Sequence, residues 1–303
     1  MSEDHNWQRK TGAVQAATTL DLGDDPAAVL MAAVWAQAAA IATLRDALSA
    51  PIEEALVGHP ERTAVLERVG LAEQGPDGPL PHPSLRSPDK ADAAARIEAR
   101  LSALRQAVTV AAGEEPTGWD EHDDTVLLHQ GRASAGTGRA PAARLVPVLL
   151  GLAERLDAPG ARVLDVGTGV AALAIALARS LPRVEVLGID IAERPLALAR
   201  QEIEAAEDVS SRVAVRRQDV ADTAEHDAFD LIWLPAPFLG EEVLAAALPR
   251  LVTALSEGGW ISLGTNPASA DPWPRPSTGG MRFAVAEAPA TRHAPPRTWP
   301  RRS

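Results

Sequence analysis

A glycine-rich turn between an apolar strand-like run and a helix-like run is the first feature of this sequence that could do chemistry. The stretch Val163–Leu177 reads VLDVGTGVAALAIAL, so Gly167-Thr168-Gly169 separates the two patterns. Glycines let the backbone turn sharply and approach a ligand closely, and the helix that follows offers unbonded N–H groups at its positive end. Strand, glycine turn and helix together predict a nucleotide-binding crevice in an open α/β sheet.

Carboxylates stand near the ends of successive strand-like runs. These apolar runs are Val163–Val166, Val184–Ile189, Val213–Val215, Phe229–Leu234 and Trp260–Leu263. Helix-like segments separate most of them, which predicts a parallel sheet with crossover helices. Asp165 belongs to the first run, Asp190 directly follows the second, and Asp219 comes soon after the third. A carboxylate at Asp190 can accept both hydroxyls of a ribose bound over the glycine turn.

As a set, these motifs resemble those of the class I S-adenosylmethionine-dependent methyltransferases. The resemblance is carried by DVGTG, GID, QDV, FDLIWL and GGWISLG, and it covers roughly residues 140–265. It implies a Rossmann-like α/β fold with S-adenosyl-L-methionine as the cofactor. The cofactor-binding residues that it implies are Asp165, Gly167, Thr168, Gly169, Asp190, Ile191, Asp219, Val220 and Leu234.

The resemblance also implies a role for several of these residues. Asp165 and the glycine turn would hold the methionine end of the cofactor, and Asp190 would bind the ribose. Asp219 would reach the adenine amino group, with the backbone of Val220 beside it. One departure from the family pattern is Ala171, which replaces the third glycine of the loop.

The function implied by the resemblance is that of a methyltransferase (EC 2.1.1.-). It would transfer a methyl group by in-line displacement to an unidentified small-molecule acceptor. A hydroxyl or acidic acceptor often needs a general base, but no residue can be assigned to that task from the sequence. His129 and His226 are candidates, although a surface histidine is the commoner state.

Three other interpretations remain open for these residues. Gly167, Gly169 and Ala172 fit the G-x-G-x-x-A pattern of an NAD(P)-binding Rossmann oxidoreductase, and Asp190 lies near the required distance. The acids Asp165 and Asp219 have no place in that pattern. A methyltransferase-like protein that binds the cofactor without turnover is a second alternative. Singly, each motif could also be a plain turn or helix cap.

Candidate substrate-side residues lie at the exit of the fourth strand and before the sheet domain. Nitrogen-methylating members of the family often carry Asn or Asp before Pro-Pro-aromatic, but here Pro235 stands in that place and cannot accept a side-chain hydrogen bond. Pro235 and Phe238 either wall an apolar substrate pocket or shape a turn. Arg132 or Gln130 could touch the cofactor's carboxylate, the alternative being that their segment is a flexible linker.

Composition restricts the class of protein. The chain has 303 residues, a net charge of −12 and a pI of about 5.1, which disfavours nucleic acid or an anionic membrane as partner. It has no cysteine, which excludes disulfides, thiolate metal sites and cysteine nucleophiles. The acidic run Trp119–Asp124 fits no set of metal ligands that we know, so no metal site is predicted. Without a recognisable signal peptide or membrane span, a cytoplasmic protein is expected.

Composition and periodicity also predict five segments along the chain. They are a loose leader (1–23), a helical N-terminal domain (24–112), a connector (113–139), the Rossmann-like domain (140–265) and a Pro/Arg-rich, disordered tail (266–303). Residues 140–156 predict a helix leading into the first strand. In the tail only 281–288 could form a strand. Our hypothesis is that the family's last strands are missing, which would leave the fifth strand uncovered.

The N-terminal region offers a candidate dimer contact. A narrow apolar seam runs along the first predicted helix, and its members are Leu30, Val34, Ile41, Leu44 and Leu48. It predicts a homodimer through the N-terminal helices. The alternative is a helix packed within its own domain, which the short seam, interrupted by Gln37, favours. Residues 71–88 predict a loop or irregular hairpin.

Overall fold

A computed structural model describes residues 26–87, 89–114, 119–265 and 282–287. The chain divides into two compact units, and the division falls between Leu101 and Ser102. No helix in the described ranges is both long enough and apolar enough to cross a membrane. The two units are described one after the other.

The first unit is mostly helical. Its elements are α1 (Pro26–Asp46), α2 (Ile52–Gly58), α3 (Pro60–Arg68), β1 (Ala72–Gly75), β2 (Gly78–Pro81) and α4 (Lys90–Ala111), which continues past the division. β1 and β2 form an antiparallel hairpin, as predicted for residues 71–88. The largest buried side chains of this unit are those of Leu44, Leu56, Leu66 and Leu85. The helical N-terminal region predicted from the sequence is therefore confirmed.

The apolar seam of α1 is divided between core and surface. Ile41 and Leu44 are buried, as expected for a helix packed within its own domain. Val34 is 54% exposed, and its neighbours Met31 and Trp35 are exposed as well. The seam is therefore not one continuous contact, and the homodimer stays a prediction.

The second unit is built on a six-stranded sheet. Its strands are β3 (Arg162–Val166), β4 (Glu185–Asp190), β5 (Val213–Arg217), β6 (Phe229–Pro235), β7 (Leu255–Thr265) and β8 (Arg282–Glu287). Their order is β5-β4-β3-β6-β7-β8, and the first five are parallel. All five predicted strand-like runs are strands, because strands buried on both faces are continuous apolar runs. The chain leaves the central β3 first toward β5 and later toward β8, so the order reverses between β3 and β6.

Helices cover the sheet, and side chains alternate between two core layers. The helices are α5 (Asp124–Arg144), α6 (Leu152–Leu156), α7 (Ala172–Ser180), α8 (Glu193–Ala205) and α9 (Glu241–Ala254). Val163 packs in the layer that includes α7 and α8, whereas Leu164 packs in the layer that includes α9. This two-residue alternation places the core on both faces of the sheet. The carboxyl ends of the strands are left to form the site.

β8 corrects one expectation about the C-terminal region. It pairs antiparallel with β7 from Trp260↔Glu287 to Thr265↔Arg282. The hypothesis that the fifth strand is left uncovered is therefore wrong, because a backbone ladder satisfies that edge. β8 falls where the sequence allowed a strand within 281–288. The rest of the predicted tail, residues 266–281 and 288–303, lies outside the described residues, as do the predicted leader (1–23) and residues 24 and 25.

A helix replaces most of the predicted connector. α5 occupies residues 124–144, where a connector was expected up to residue 139. The carboxylate of Asp123 caps this helix, since it accepts the N–H groups of Thr125 at 2.7 Å and Val126 at 3.0 Å. The helix predicted over 140–156 is instead interrupted between the end of α5 at Arg144 and the start of α6 at Leu152, and Gly151, just before α6, has a left-handed φ of 70°.

Two ion pairs align α5 with α8. Asp124 pairs with Arg194 at 2.8 Å, and Arg132 pairs with Glu202 at 2.8 Å. Both helices advance by the same number of residues between the two pairs, so they run side by side in the same direction. The start of α5 therefore lies near the start of α8, at the edge where β4 ends.

α5 also approaches the glycine turn very closely. A Cβ atom placed at Gly131 would lie 2.0 Å from Cγ2 of Val170, a residue that is itself buried. Leu127 of α5 packs with Val170, Ala172 and Leu198 in one small apolar cluster. The absent side chain at Gly131 thus permits the contact between α5 and the turn.

We predict that Gly131→Ala destabilises the second unit. Alanine usually stabilises a helix relative to glycine, by about 0.5–1 kcal/mol, but here overpacking against Val170 should cost about 1–3 kcal/mol. Urea denaturation measures the change in the free energy of unfolding. Gly58→Ala is the control, because Gly58 ends α2 with nothing within 4 Å of its Cβ position. A stability gain in both variants would contradict the close approach.

Candidate functional site

The glycine turn after β3 uses left-handed backbone conformations at three positions. The φ angles are 66° at Gly167, 54° at Gly169 and 62° at Ala171. The Thr168 N–H donates to the Ile189 carbonyl at 3.0 Å, which joins the turn to β4. Ala171 carries the conformation for which the family pattern has glycine, a strain of about 1–2 kcal/mol. The turn exposes the Gly167 backbone, and nothing lies within 4 Å of the Cβ position of Gly169.

Asp190 joins this turn to the turn that follows β4. Its Oδ2 accepts the N–H of Gly169 at 2.9 Å, and its Oδ1 accepts the N–H of Ala192 at 3.0 Å. The carboxylate is half-buried at the carboxyl end of β4. Each oxygen has further lone pairs, so the group retains acceptor capacity for two hydroxyls.

Asp165 lies beneath the turn rather than on its surface. Its side chain is 1% exposed, and its Oδ2 accepts a hydrogen bond of 2.7 Å from the Thr168 hydroxyl. Burial raises the pKa of Asp165 to about 7; the Thr168 hydrogen bond opposes the shift and the Asp190 charge adds to it. Asp165 therefore supports the turn from below. This geometry gives Thr168, likewise buried, a structural contact in place of the predicted direct contact with the cofactor.

Gly188, which was not among the predicted site residues, makes room for the buried pair of Asp165 and Thr168. A Cβ atom at Gly188, in the middle of β4, would lie 2.5 Å from Oγ1 of Thr168. The signal was present in the GID motif, since a glycine inside a strand marks a place where another group approaches closely. From this motif only Asp190 was predicted as a site residue.

The remaining cofactor candidates differ in exposure. Asp219 is exposed at the end of β5 and caps a short 3-10 turn by accepting the Ala221 N–H at 2.9 Å. Ile191, next to Asp190, is 64% exposed, which is unusual for an isoleucine. Val220 and Leu234 are buried in the core. With no exposed surface, the Leu234 side chain has no geometric support as a cofactor contact.

The predicted substrate-side residues Pro235 and Phe238 lie at the same edge of the sheet. Pro235 is buried beside the turn, since its Cγ would be 3.6 Å from a Cβ atom at Gly167. Phe238 ends the short 3-10 segment that follows β6 and is 57% exposed. Their role toward a substrate stays a prediction.

Arg132 and Gln130 are engaged elsewhere. Arg132 donates to both carboxylate oxygens of Glu202, at 3.1 and 2.8 Å. Glu202 lies about two and a half turns into α8, roughly 14 Å along its axis from the edge where the helix starts. Gln130 accepts the Ser102 hydroxyl at 3.0 Å. The predicted contact of Arg132 with the cofactor is therefore not supported, because a two-point ion pair holds its guanidinium.

The fold gives no support to either histidine candidate as a general base. His226 is exposed just before β6 begins, at the amino ends of the strands and hence at the opposite edge from the turn. His129 lies within α5 and is half-buried. No general base is therefore identified. In the described ranges, no group of three or more His, Cys, Asp or Glu side chains could hold a metal ion.

The sheet and the site together define a class of protein. Five parallel strands with an acid-flanked glycine turn at the reversal of strand order form a nucleoside-binding crevice. The antiparallel edge strand β8 distinguishes this sheet from the dinucleotide-binding fold, which is built from two parallel halves. This is the fold of the class I S-adenosylmethionine-dependent methyltransferases.

Comparison with protein families gives the same result. Residues 163–259 match the family model described as a methyltransferase domain. This stretch is therefore a class I S-adenosylmethionine-dependent methyltransferase domain, and S-adenosyl-L-methionine is its cofactor. The residues present fit this cofactor, because an open glycine backbone, the acceptor Asp190 and the exposed apolar Ile191 adjoin at one edge.

The chain is also similar to curated methyltransferases in sequence and to a solved structure in fold. The chain is 30% identical to the release factor glutamine methyltransferase of Rhodopirellula baltica, covering 37% of this chain and 46% of the relative. It is 34% identical to the ribosomal protein L11 methyltransferase of Chloroflexus aurantiacus, covering 46% and 47%. It therefore matches about half the length of these two relatives. The structure of the pyocyanin biosynthetic protein PhzM is 17% identical, covers 80% of each chain with a TM-score of 0.51, and shows a similar fold.

We predict that Asp165 makes stability fall as the pH rises. Its carboxyl group has a pKa of about 7 when folded against 3.8 otherwise, so the folded state binds its proton more tightly. The resulting stabilisation, on the order of a few kcal/mol, is complete below pH 4 and is lost as the pH rises to about 7. Urea denaturation between pH 5 and pH 8 should show this slope.

The variant Asp165→Asn should remove this contribution to the slope while retaining an oxygen that accepts the Thr168 hydroxyl. Asp157→Asn is the control, because the Asp157 side chain is 77% exposed and should leave the slope unchanged. Equal slopes for Asp165→Asn and the unmodified protein would show that Asp165 does not titrate in this range.

Proposed function

We propose that this chain is an S-adenosyl-L-methionine-dependent methyltransferase that acts on a small-molecule acceptor. One observation carries the proposal. The glycine turn, Asp190 and Asp219 occupy the carboxyl ends of three adjacent parallel strands, beside the point where the strand order reverses. Ligands of open α/β sheets bind in the crevice at such a point.

In this proposal each group at the edge has a separate binding task. The carboxylate of Asp190 accepts the ribose hydroxyls while it retains the N–H groups of Gly169 and Ala192. The exposed side chain of Ile191 lies against the adenine ring, and Asp219 with the Val220 backbone binds the polar edge of that ring. Gly167 and Gly169 bring the backbone close to the methionine end, and Asp165 supports them through Thr168.

When bound, S-adenosyl-L-methionine supplies a methyl group already activated by its sulfonium sulfur. The chain's task is then to hold the acceptor in line at about 3 Å and to exclude water. Pro235, beside Gly167, and the exposed ring of Phe238 are the apolar groups placed to border the acceptor. An acceptor atom that already carries a nucleophilic lone pair needs no general base, which agrees with the lack of an assigned histidine.

The acceptor has two candidate classes. The names of the curated relatives favour a protein acceptor, a release factor or ribosomal protein L11. Against an amide nitrogen as the accepting atom, Pro235 occupies the position where nitrogen-methylating members carry Asn or Asp, and it offers no side-chain oxygen. This difference supports a small molecule as the first candidate, and a protein side chain is the second.

We predict that Asp190→Ala weakens binding of S-adenosylhomocysteine by at least about thirtyfold. The variant loses two charge-assisted hydrogen bonds to ribose hydroxyls and releases the N–H of Gly169. Isothermal titration calorimetry measures the dissociation constant, with NAD as a ligand that should give no heat. Asp208→Ala is the matched control, because Asp208 is exposed and pairs with Arg179. Unchanged affinity in Asp190→Ala would contradict the assignment of the ribose site.

We predict that the radiolabelled methyl group of S-adenosyl-L-methionine is transferred to a low-mass product. The protein is incubated with an ultrafiltered metabolite extract and, separately, with the protein fraction of the same cells. Label in the metabolite fraction alone supports a small-molecule acceptor, whereas label in the protein fraction favours the second class. The Asp190→Ala variant is the blank. Cofactor binding without label in either fraction would favour the non-catalytic alternative.

A further inference from the structure

The turn after β4 is held at three points. The carbonyl of Asp190 accepts the Gln218 N–H at 2.9 Å, and the Asp190 side chain accepts the Ala192 N–H at 3.0 Å. The carbonyl of Ile191 accepts a hydrogen bond of 3.0 Å from Nε of Arg217. The bond to the Ala192 N–H lies within the turn, and the bond from the Gln218 N–H joins two backbone groups. Arg217 is therefore the side chain that connects the turn to the neighbouring strand.

Arg217 is positioned for this task by the register of the sheet. It is the last residue of β5 and pairs with Asp190, the last residue of β4. Its side chain is exposed, yet it turns toward the neighbouring strand to reach the Ile191 carbonyl. The contact spans 26 positions in sequence, so pattern reasoning on either strand alone does not detect it.

The peptide that Arg217 holds links two residues of the proposed nucleoside site. The Ile191 carbonyl and the Ala192 N–H belong to the same planar peptide group. Fixing that carbonyl therefore fixes the direction of the N–H that binds Asp190, and with it the plane of the carboxylate. Together with the preceding peptide group, whose Asp190 carbonyl accepts the Gln218 N–H, this peptide group sets the direction of the exposed Ile191 side chain.

We propose that Arg217 is a positioning residue for the nucleoside half of the cofactor, acting through Ile191 and Asp190. The proposal rests on the proposed function, because it presupposes that these two residues contact ribose and adenine. Arg217 itself contacts the turn and is not a catalytic residue. Its effect should appear in the affinity for any ligand that contains the adenosine group.

Arg216 provides a matched control within the same strand. It precedes Arg217, so its side chain points to the opposite face of the sheet, where it pairs with Glu225. Arg216→Met removes an arginine and an ion pair from β5 without touching the turn. Arg217→Met removes the donor but keeps a long apolar stem, and Arg217→Lys retains a donor on a flexible stem.

The test measures dissociation constants of S-adenosylhomocysteine and 5′-methylthioadenosine by calorimetry for the full chain and the three variants. Arg217→Met should weaken both ligands by about three- to tenfold, the effect of one lost hydrogen bond. Arg217→Lys should restore affinity to within about twofold, and Arg216→Met should bind as the unmodified protein does. Hydrogen exchange at the Ala192 amide should accelerate in Arg217→Met alone.

The outcomes separate this inference from the proposed function. If the unmodified protein binds neither ligand, the proposed function fails and this inference fails with it. If the unmodified protein binds both and Arg217→Met binds them equally well, only the inference is overturned. Equal losses in Arg217→Met and Arg216→Met, with parallel falls in melting temperature, would also overturn it, because they indicate a general effect on β5.

Discussion

A single carboxylate joins the two turns on which this site is built. Asp190 accepts N–H groups from the turn after β3 and from the turn after its own strand, so the ends of β3 and β4 are locked together. Hydrogen bonds to an ionised acceptor are stronger than neutral ones. The group that joins the two turns is thus also the group proposed to bind the ribose.

A second carboxylate shows what the sheet must tolerate to support the turn. Asp165 is removed from water, which disfavours its charged form, and its Oδ2 accepts a hydrogen bond from the hydroxyl of Thr168. That hydroxyl fits only because Gly188 lacks a side chain. Asp165 on β3, Gly188 on β4 and Thr168 in the turn therefore form one buried unit, and a substitution at any of them would disturb the backbone of the turn.

The sequence was sufficient to predict the five parallel strands, but not the pairing of β8 with β7 or the helix that packs against the glycine turn. Buried parallel strands and a glycine turn leave strong local patterns, so the strands and the order of the acids could be predicted. The helix α5 could not be predicted, because its middle contains Gly and Ser and has the composition of a linker. Its contact with Val170 is non-local and leaves no pattern in the helix's own sequence. The partners of Arg132 and Arg217 are equally non-local, since each lies on another element.

The strand order has a consequence for how the sheet can grow during synthesis. β3 is made first and stands in the centre, and each later strand pairs with one that already exists. No strand of this sheet after β3 has to wait for its first partner to be translated, which shortens the time that an unpaired strand is exposed to other chains. The side of the crevice proposed to bind ribose can therefore form once residue 218 has emerged from the ribosome, because its last contacts come from Arg217 and Gln218, and this precedes β6.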